Sequence, residues 1–393
     1  MRNATTPATR RGRRLVRCSA VVALGLASAA VIVGTAGATV AGRSYAVVLT
    51  ADRGTASNYL NWVSCKATTC MAVGWGQVGP AQHTLVEQRR PHSWAVLKSP
   101  SVGTHDNLLA SVSCVSTTFC VAVGSHSTGA SGEATIIERW NGTAWTLMAS
   151  PVPPGPDNEL LGVACPSVTM CVAVGRGLQV PARTLVEVWH GGAWTIAHTP
   201  NLSIDDNFLQ GVSCPTTTMC MAVGFSYIGA VAHSLVLAWH GGGGWALVAA
   251  PDRGGATGTY PYGVSCPTTM MCRAVGDFRT ATVARTFILA WNGHAWTTLP
   301  SPNESATSNE LSGVDCATTT SCEAVGNFYS GGSRNLVERW TGAGWTVVPT
   351  PNAPGGDNYL ANVSCTSPVA CTASGELTLL PSSVGRTYVL VGH

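Results

Sequence analysis

The chain has 393 residues, enough for two average domains or one large β-architecture. Only 10% of them are charged, while Gly (44) and Pro (22) are abundant, a composition that excludes coiled coils, charged helical repeats and highly charged disorder. The formal charge of +3 is unevenly placed. Six basic residues (Arg2, Arg10, Arg11, Arg13, Arg14 and Arg17) precede an uncharged stretch from Cys18 to Gly42 that contains Ala36-Gly37-Ala38. A basic start, an apolar run and a small-x-small site predict a secretory signal peptide over 1–38. An uncleaved anchor is the competing reading, because the apolar run is long enough to span a bilayer. Cleavage leaves 16 basic against 19 acidic residues, a net charge of −3, and removes the electrostatic motive for a nucleic-acid partner. Both readings place residues 39–393 outside the cytoplasm.

The first predicted element after this leader is a strand over 44–51, Tyr45-Ala-Val-Val-Leu-Thr-Ala51-Asp-Arg-Gly54. It matches Trp245-Ala-Leu-Val-Ala-Ala-Pro251-Asp-Arg-Gly254 position by position. Seven cysteine pairs follow: Cys65/Cys70, Cys114/Cys120, Cys165/Cys171, Cys214/Cys220, Cys266/Cys272, Cys316/Cys322 and Cys365/Cys371. Their first members are 49, 51, 49, 52, 50 and 49 residues apart, so the chain is an internal repeat. Units start near 58, 107, 158, 207, 259, 309 and 358. The third reads Asn158-Glu-Leu160-Leu-Gly-Val163-Ala-Cys165, then Cys171-Val-Ala173-Val-Gly175, Thr184-Leu185-Val-Glu187-Val-Trp189 and Ala193-Trp194 running to Pro200. Each piece is a short β-rich run bounded by turn residues, and no apolar period of 3.6 spans a helical length. Four strands per ~50 residues predict an all-β fold, a seven-bladed β-propeller of four-stranded antiparallel blades. Six units end in Trp-x5-Pro, whereas the seventh stops at His393 after its third strand. The orphan strand 44–51 is therefore expected to complete the last blade and close the ring.

The order Ala-Val-Gly, Leu-Val-Glu-x-Trp, Gly-x-x-Trp and trailing Pro resembles kelch-type blades. It resembles more closely the tandem propeller repeats of secreted bacterial proteins. The likeness covers 44–393 and implies fold alone, since kelch-like folds include enzymes and binding scaffolds. The chain departs from kelch in lacking a second glycine after Ala-Val-Gly and in carrying a cysteine pair per blade.

The repeated residues read first as structure. Each cysteine pair brackets the turn between the first two strands of a blade, where the Cα atoms face each other across a hairpin, so seven intra-blade disulfides are expected. Metal binding is the weaker alternative, and no metal or cofactor is expected. Trp140/Trp145, Trp189/Trp194, Trp291/Trp296 and Trp340/Trp345 flank tight turns and predict packing between blades, with sugar stacking as the alternative. Glu87, Glu138, Glu187 and Glu338 share one third-strand position with Leu237, Leu289 and Leu390, which predicts a packing position whose carboxylate finds a donor, not paired catalytic acids. Asn58, Asn107, Asn158, Asn207, Asn309 and Asn358 stand seven residues before a first cysteine, and Asp106, Asp157, Asp206 and Asp357 precede four of them. With His83, Arg183, His233, Arg285, Arg334 and Arg386 they predict Asx turns and salt bridges between blades, or a polar ring at the channel mouth.

Function is expected in the loops between second and third strands at that same end, because variable loops on a rigid repeat scaffold carry recognition. Trp75, Arg176, Tyr227, Phe278 and Tyr329 are the candidate ligand-binding residues. The leading expectation is a secreted or cell-surface, monomeric binding or scaffold module for a glycan or an extracellular protein, without a membrane partner once the leader is removed. The alternative is a carbohydrate-active enzyme, a hydrolase or lyase, with Asp277, Glu376 or Glu133 over the channel. Gly74-Trp-Gly76-Gln-Val-Gly79 matches G-x-G-x-x-G but precedes a strand, so no helix N-terminus awaits a phosphate. No HExxH, G-x-S-x-G, P-loop or EF-hand pattern occurs.

Overall fold

The computed structural model describes residues 44–129, 132–151, 157–177 and 180–392; the predicted leader over 1–38 lies outside them. Among the described residues every element is a strand, and the strands assemble as seven four-stranded antiparallel blades. Blade one consists of Asn58–Lys66, Thr69–Val78, Ala81–Arg89 and Trp94–Leu97. The next five blades repeat this order over 107–147, 158–196, 207–247, 258–299 and 309–347. Blade seven supplies Gly356–Ser367, Ala370–Leu379 and Val384–Gly392. Its fourth strand is Tyr45–Leu49, which pairs antiparallel with Val384–Gly392 and sets Tyr45 opposite Gly392. A one-residue parallel bridge, Ala232 to Gly258, joins blades four and five at their edge.

The repeated motifs have local causes. In Ala-Val-Gly the glycine lies where the first strand bulges. A Cβ on Gly74, Gly175 or Gly224 would meet the carbonyl oxygen opposite at 1.9 Å, so only glycine permits this approach. The tryptophans of four hairpins stand directly opposite each other, with ring centroids 5.7–6.1 Å apart and planes tilted by 41–45°. They are mostly buried in the apolar clusters that fill the seams between blades. The structure therefore gives them the packing role.

All seven cysteine pairs are intra-blade disulfides with Cα atoms 3.9–4.1 Å apart: Cys65–Cys70, Cys114–Cys120, Cys165–Cys171, Cys214–Cys220, Cys266–Cys272, Cys316–Cys322 and Cys365–Cys371. Such bonds belong to an oxidising environment. The two ends of each bond differ in burial, and the second cysteine is a core residue. Cys120, Cys220 and Cys272 are fully buried, Cys322 is 2% exposed, and Cys70, Cys171 and Cys371 are buried as well. Each belongs to the apolar cluster of a different seam. The cause is strand position: the second strand is interior to its sheet, while Cys65, Cys114, Cys165, Cys214 and Cys365 stay half-buried near the end of the innermost strand. Cys120, Cys220, Cys272 and Cys322 are thus packing side chains as much as crosslinks, and they present no surface to a ligand. Among the described residues no helix is long and apolar enough to cross a membrane.

A further set of bonds runs around the seven first strands. The residue before the first cysteine of one blade accepts a hydrogen bond from the amide of the corresponding cysteine in the next. Cys114 N donates to Ser64 Oγ, Cys165 N to Ser113 Oγ, Cys266 N to Ser213 Oγ and Cys316 N to Ser265 Oγ, each at 3.0 Å. Cys365 N donates to Asp315 Oδ2 at 2.7 Å, and Cys65 N of blade one donates to Ser364 Oγ of blade seven at 3.0 Å. Blade three alone offers a side chain without an acceptor at this position, Ala164.

Candidate functional site

The first strands pack against one another from blade to blade, and their starts form one rim. Each starts on a buried Asn or its equivalent. Asn107 Oδ1 accepts from Val102 N at 2.7 Å while its Nδ2 donates to Val102 O and His105 O, and Asn58, Asn207, Asn309 and Asn358 repeat the pattern. The Asx turns are as expected, but the preceding aspartates do not form a network of salt bridges. Asp106, Asp157, Asp206 and Asp357 instead accept from backbone amides of the preceding blade, at Gln82, Glu133, Ala182 and Ser333, over 2.6–2.9 Å. Arg183 and Arg285 donate to loop carbonyls, His233 hydrogen-bonds Asp252 at 2.7 Å, and only Arg386–Asp52 pairs as ions among the described members of this set. An extended loop backbone presents more carbonyls than carboxylates, so most of the cations are spent on the fold.

The next residue inward is Tyr in three blades, Glu in two, and Leu or Phe in the others. At one register the first and second strands face each other with Tyr59 opposite Trp75, Leu108 opposite Ser125, Glu159 opposite Arg176 and Phe208 opposite Phe225. The series continues with Tyr260 opposite Asp277, Glu310 opposite Asn327 and Tyr359 opposite Glu376. These seven cross-strand pairs, no two alike, form a collar of equivalent positions at the rim, with Tyr three times and Glu twice among the first-strand members. Their concentration of aromatic and charged side chains at one rim makes them the candidate site.

The collar has an aromatic sector and charged pairs. Phe208 and Phe225 lie 5.0 Å apart, Tyr227 meets both edge-on at 6.2 and 5.9 Å, and Phe225 reaches Tyr260 of the next blade at 5.1 Å. Tyr260 continues to Tyr262 at 6.5 Å. Arg176 lies over Phe208 at one end of this run and Arg279 over Tyr260, with guanidinium carbons 4.9 Å and 4.8 Å from the ring centroids. Each is oriented by an acid, Arg176 by Glu159 at 3.0 Å and Arg279 by Asp277 at 2.9 Å. In blade one Tyr59 stacks on Trp75 at 4.1 Å.

Burial, with the charge of Glu376 second, pushes the Tyr59 phenol up to about 12, and burial with Tyr227 second does the same for Tyr260. Burial and the neighbouring Asp277 carry Tyr262 well above the usual phenol value. The tyrosines are therefore neutral O–H donors at physiological pH. Burial, followed by the charge and hydrogen bond of Glu159, raises Glu133 to about 7. Rings with flat apolar faces, hydroxyl donors and fixed guanidinium forks can hold a ligand that is itself part apolar and part hydroxyl or carbonyl.

The five candidate residues are distributed unevenly. They lie on second strands, which run on to Val78, Gly177, Ile228, Arg279 and Tyr329, and not in loops. The turns are tighter than the sequence suggests because glycine at positive φ, such as Gly79 (62°) and Gly229 (61°), closes a hairpin with Val78 opposite Ala81 and Ile228 opposite Val231. Trp75, Arg176 and Tyr227 join the collar. Phe278 is one residue out of phase with Asp277, and strand alternation turns it into the seam cluster of blades four and five, with Arg253 over its ring at 5.5 Å. Tyr329 lies at the end of its strand, 51% exposed. Of the alternative acids, Asp277 is fully buried and held by Arg279, while Glu376 accepts from Thr378 and Glu133 from Ser125. Sequence reasoning missed Tyr59, Glu159, Phe208, Tyr260, Glu310 and Tyr359, although each directly follows the repeat's Asn or its equivalent; the aromatic and acidic residues of that one column were the available signal.

The four repeated glutamates are fully buried and bridge blades. Ser99 Oγ of blade one donates to Glu138 of blade two at 2.8 Å, Ser150 to Glu187 at 2.9 Å and Ser301 to Glu338 at 2.9 Å. Glu87 accepts from Thr50 and Thr387, both at 3.2 Å. They are packing residues, as expected, with the donor supplied by the preceding blade.

No sequence-family profile and no curated protein matches the chain. Solved structures do. An ulvan lyase, described as a new family of polysaccharide lyase and bound to a GlcA(1-4)Rha3S saccharide, superimposes with a TM-score of 0.59 at 9% identity, over 87% of this chain and 95% of its own. YCF48 bound to a D1 peptide gives 0.55 at 11% identity over 89% and 96%. YCF48 from Cyanidioschyzon merolae gives 0.54 at 14% over 89% and 98%. At such identities the likeness defines a class of architecture, the β-propeller repeat proteins, and nothing narrower.

Proposed function

We propose that the protein is a secreted, monomeric β-propeller that acts as an extracellular binding or scaffold module for a glycan or protein partner, with the collar as its recognition surface. The N-terminal strand closes the ring in this reading, which the pairing of Tyr45–Leu49 with the last strand supports. The observation that carries the functional reading is the collar itself: one register, seven different cross-strand pairs, and a continuous aromatic run from Phe208 to Tyr262. Two ion-paired arginines lie over its Phe208 and Tyr260 rings. A glycan fits it best, because ring faces pack on sugar C–H surfaces while phenol, guanidinium and carboxylate groups meet hydroxyls. The propeller neighbours bound to a saccharide and to a peptide show that this architecture accommodates either class. The test is retention of cell-wall polysaccharides and secreted proteins on the immobilised protein. Tyr227→Ala with Tyr260→Ala is expected to lower retention at least tenfold, and undiminished retention would refute the collar as the site.

The carbohydrate-active enzyme alternative, a hydrolase or lyase, is less well supported: Ser125 hydrogen-bonds Glu133 and Thr378 hydrogen-bonds Glu376. Asp277 is committed to Arg279 beneath the surface.

A further inference from the structure

The seven seams between blades are filled to one plan, and one seam departs from it. The third residue after the aromatic that opens each fourth strand packs into the apolar cluster of its seam. It is Val48, Leu97, Met148, Val248, Leu299 or Val348 in six blades and Ala197 in blade three. Beside it stands a cross-strand pair on the second and third strands. Five blades place at least one long side chain there: Met71 opposite Gln88, Val121 opposite Arg139, Met221 opposite Ala238, Arg273 opposite Ala290 and Glu323 opposite Arg339. Blade three has Val172 opposite Val188. It thus combines two short side chains with the one small plug. Blade seven has a short pair too, Thr372 opposite Val391, but retains Val48, and its seam encloses only about 60 Å³.

The result between blades three and four is a cavity of about 220 Å³. Its floor is Met170, Val172 and Val188 of blade three and Trp245 of blade four, all buried, with half-buried Ala197 and Trp239. Its rim is polar and exposed, including His190 and His198, and among the described residues no carboxylate lines it. The extended glycine turn Gly241–Gly244 separates Trp239 from Trp245, and Gly244 forms part of the rim. A dry cavity of about 150 Å³ in a protein core is enough for one benzene ring, so this one takes a ring with a short arm. Imidazole N–H groups at a rim without acids complement an anionic end.

We propose that this cavity is a second binding site, separate from the collar, for a small hydrophobic acid: one aromatic or branched aliphatic group seated on Trp239 and Trp245, with a carboxylate at the histidine rim. The probe is 3-phenylpropionate, compared with the neutral 3-phenylpropan-1-ol by titration calorimetry and tryptophan fluorescence on the full protein. The acid is expected to bind, and at least several-fold more tightly than the alcohol. Ala197→Met restores the plug of blade two and is expected to weaken binding more than tenfold; Val172→Met, which copies blade four, does the same should the first variant fold poorly. Absence of binding to the native protein, or binding unchanged in a folded plug variant, overturns the site. His190→Gln with His198→Gln is expected to erase the preference for acid over alcohol, and a preference that survives overturns the assignment of the carboxylate.

Discussion

The Ser364 hydroxyl of blade seven accepts the Cys65 amide of blade one at 3.0 Å, the same bond that links successive blades elsewhere around the first strands. Six of the seven steps are made, and the exception is Ala164, which has no acceptor for the Cys214 amide. A hydrogen bond of this kind contributes about 1 kcal/mol. Ala164→Ser is therefore expected to stabilise the protein by about 1 kcal/mol, and Ser364→Ala to destabilise it by at least as much. Denaturant unfolding of the two variants measures both. A destabilised Ala164→Ser would show that the site lacks the geometry of its six counterparts.

Ser99 and Glu138 make a second inter-blade relationship with a consequence for pH. Burial raises Glu138, Glu87 and Glu338 to about 8 and Glu187 to about 7, against the opposing hydrogen bonds from Ser99, Thr50 with Thr387, Ser301 and Ser150. Asp52 adds a like charge beside Glu87, and Thr135 and Thr286 complete the polar surroundings of Glu187 and Glu338. Since each folded value lies above the unfolded one, near 4.5, the native state holds protons that the unfolded chain releases. The contribution is complete below about 4.5 and is lost as pH rises through 7–8. Asp315, raised by burial, acts in the same direction. Stability should thus fall from pH 5 to pH 8.5, by no more than about 1.4 kcal/mol per pH unit per glutamate. Calorimetry at constant ionic strength tests this. Replacing all four glutamates with Gln, which keeps an acceptor for each hydroxyl and cannot titrate, should flatten the profile; an equally steep one would remove the glutamates as its cause.

How far these features were legible depends on whether their partners share a repeat. Cys65/Cys70 and Trp140/Trp145 are neighbours across single hairpins, so period and spacing were enough to read them. The burial of Cys120, Cys220, Cys272 and Cys322 was not legible in the same spacing, because the seam that covers each one is completed by another blade. Glu138 was read correctly as packing, but Ser99 is 39 positions upstream in the preceding blade, where comparison down one column of the repeat does not look. The collar was half legible. Trp75, Arg176 and Tyr227 stood out as aromatic or charged residues after Ala-Val-Gly, whereas their partners Tyr59, Glu159 and Phe208 follow an Asn that drew attention to itself. Phe278 was misjudged by one residue of strand phase, and strand alternation makes such an error complete: it moved the ring from the mouth to a seam.

Tyr45 ties the N-terminal strand to blade six as well as to blade seven. Its hydroxyl donates to Glu323 Oε2 at 2.7 Å and accepts from Arg339 Nη2 at 2.9 Å, while its strand pairs with Val384–Gly392. Blades one to six supply tryptophan at this position, and an indole has a donor N–H but no oxygen to accept from Arg339. Tyrosine here therefore does more than fill the aromatic slot. Tyr45→Phe keeps the ring packing and removes both hydrogen bonds to blade six, one of them to the buried Glu323, at an expected cost of about 1–3 kcal/mol. If the strand closes the ring, that loss is concentrated at the junction: amide exchange should accelerate in 45–49 and 384–392 before it does in blades two to five. Uniform acceleration across all blades would mean that Tyr45 contributes general stability and no special closure.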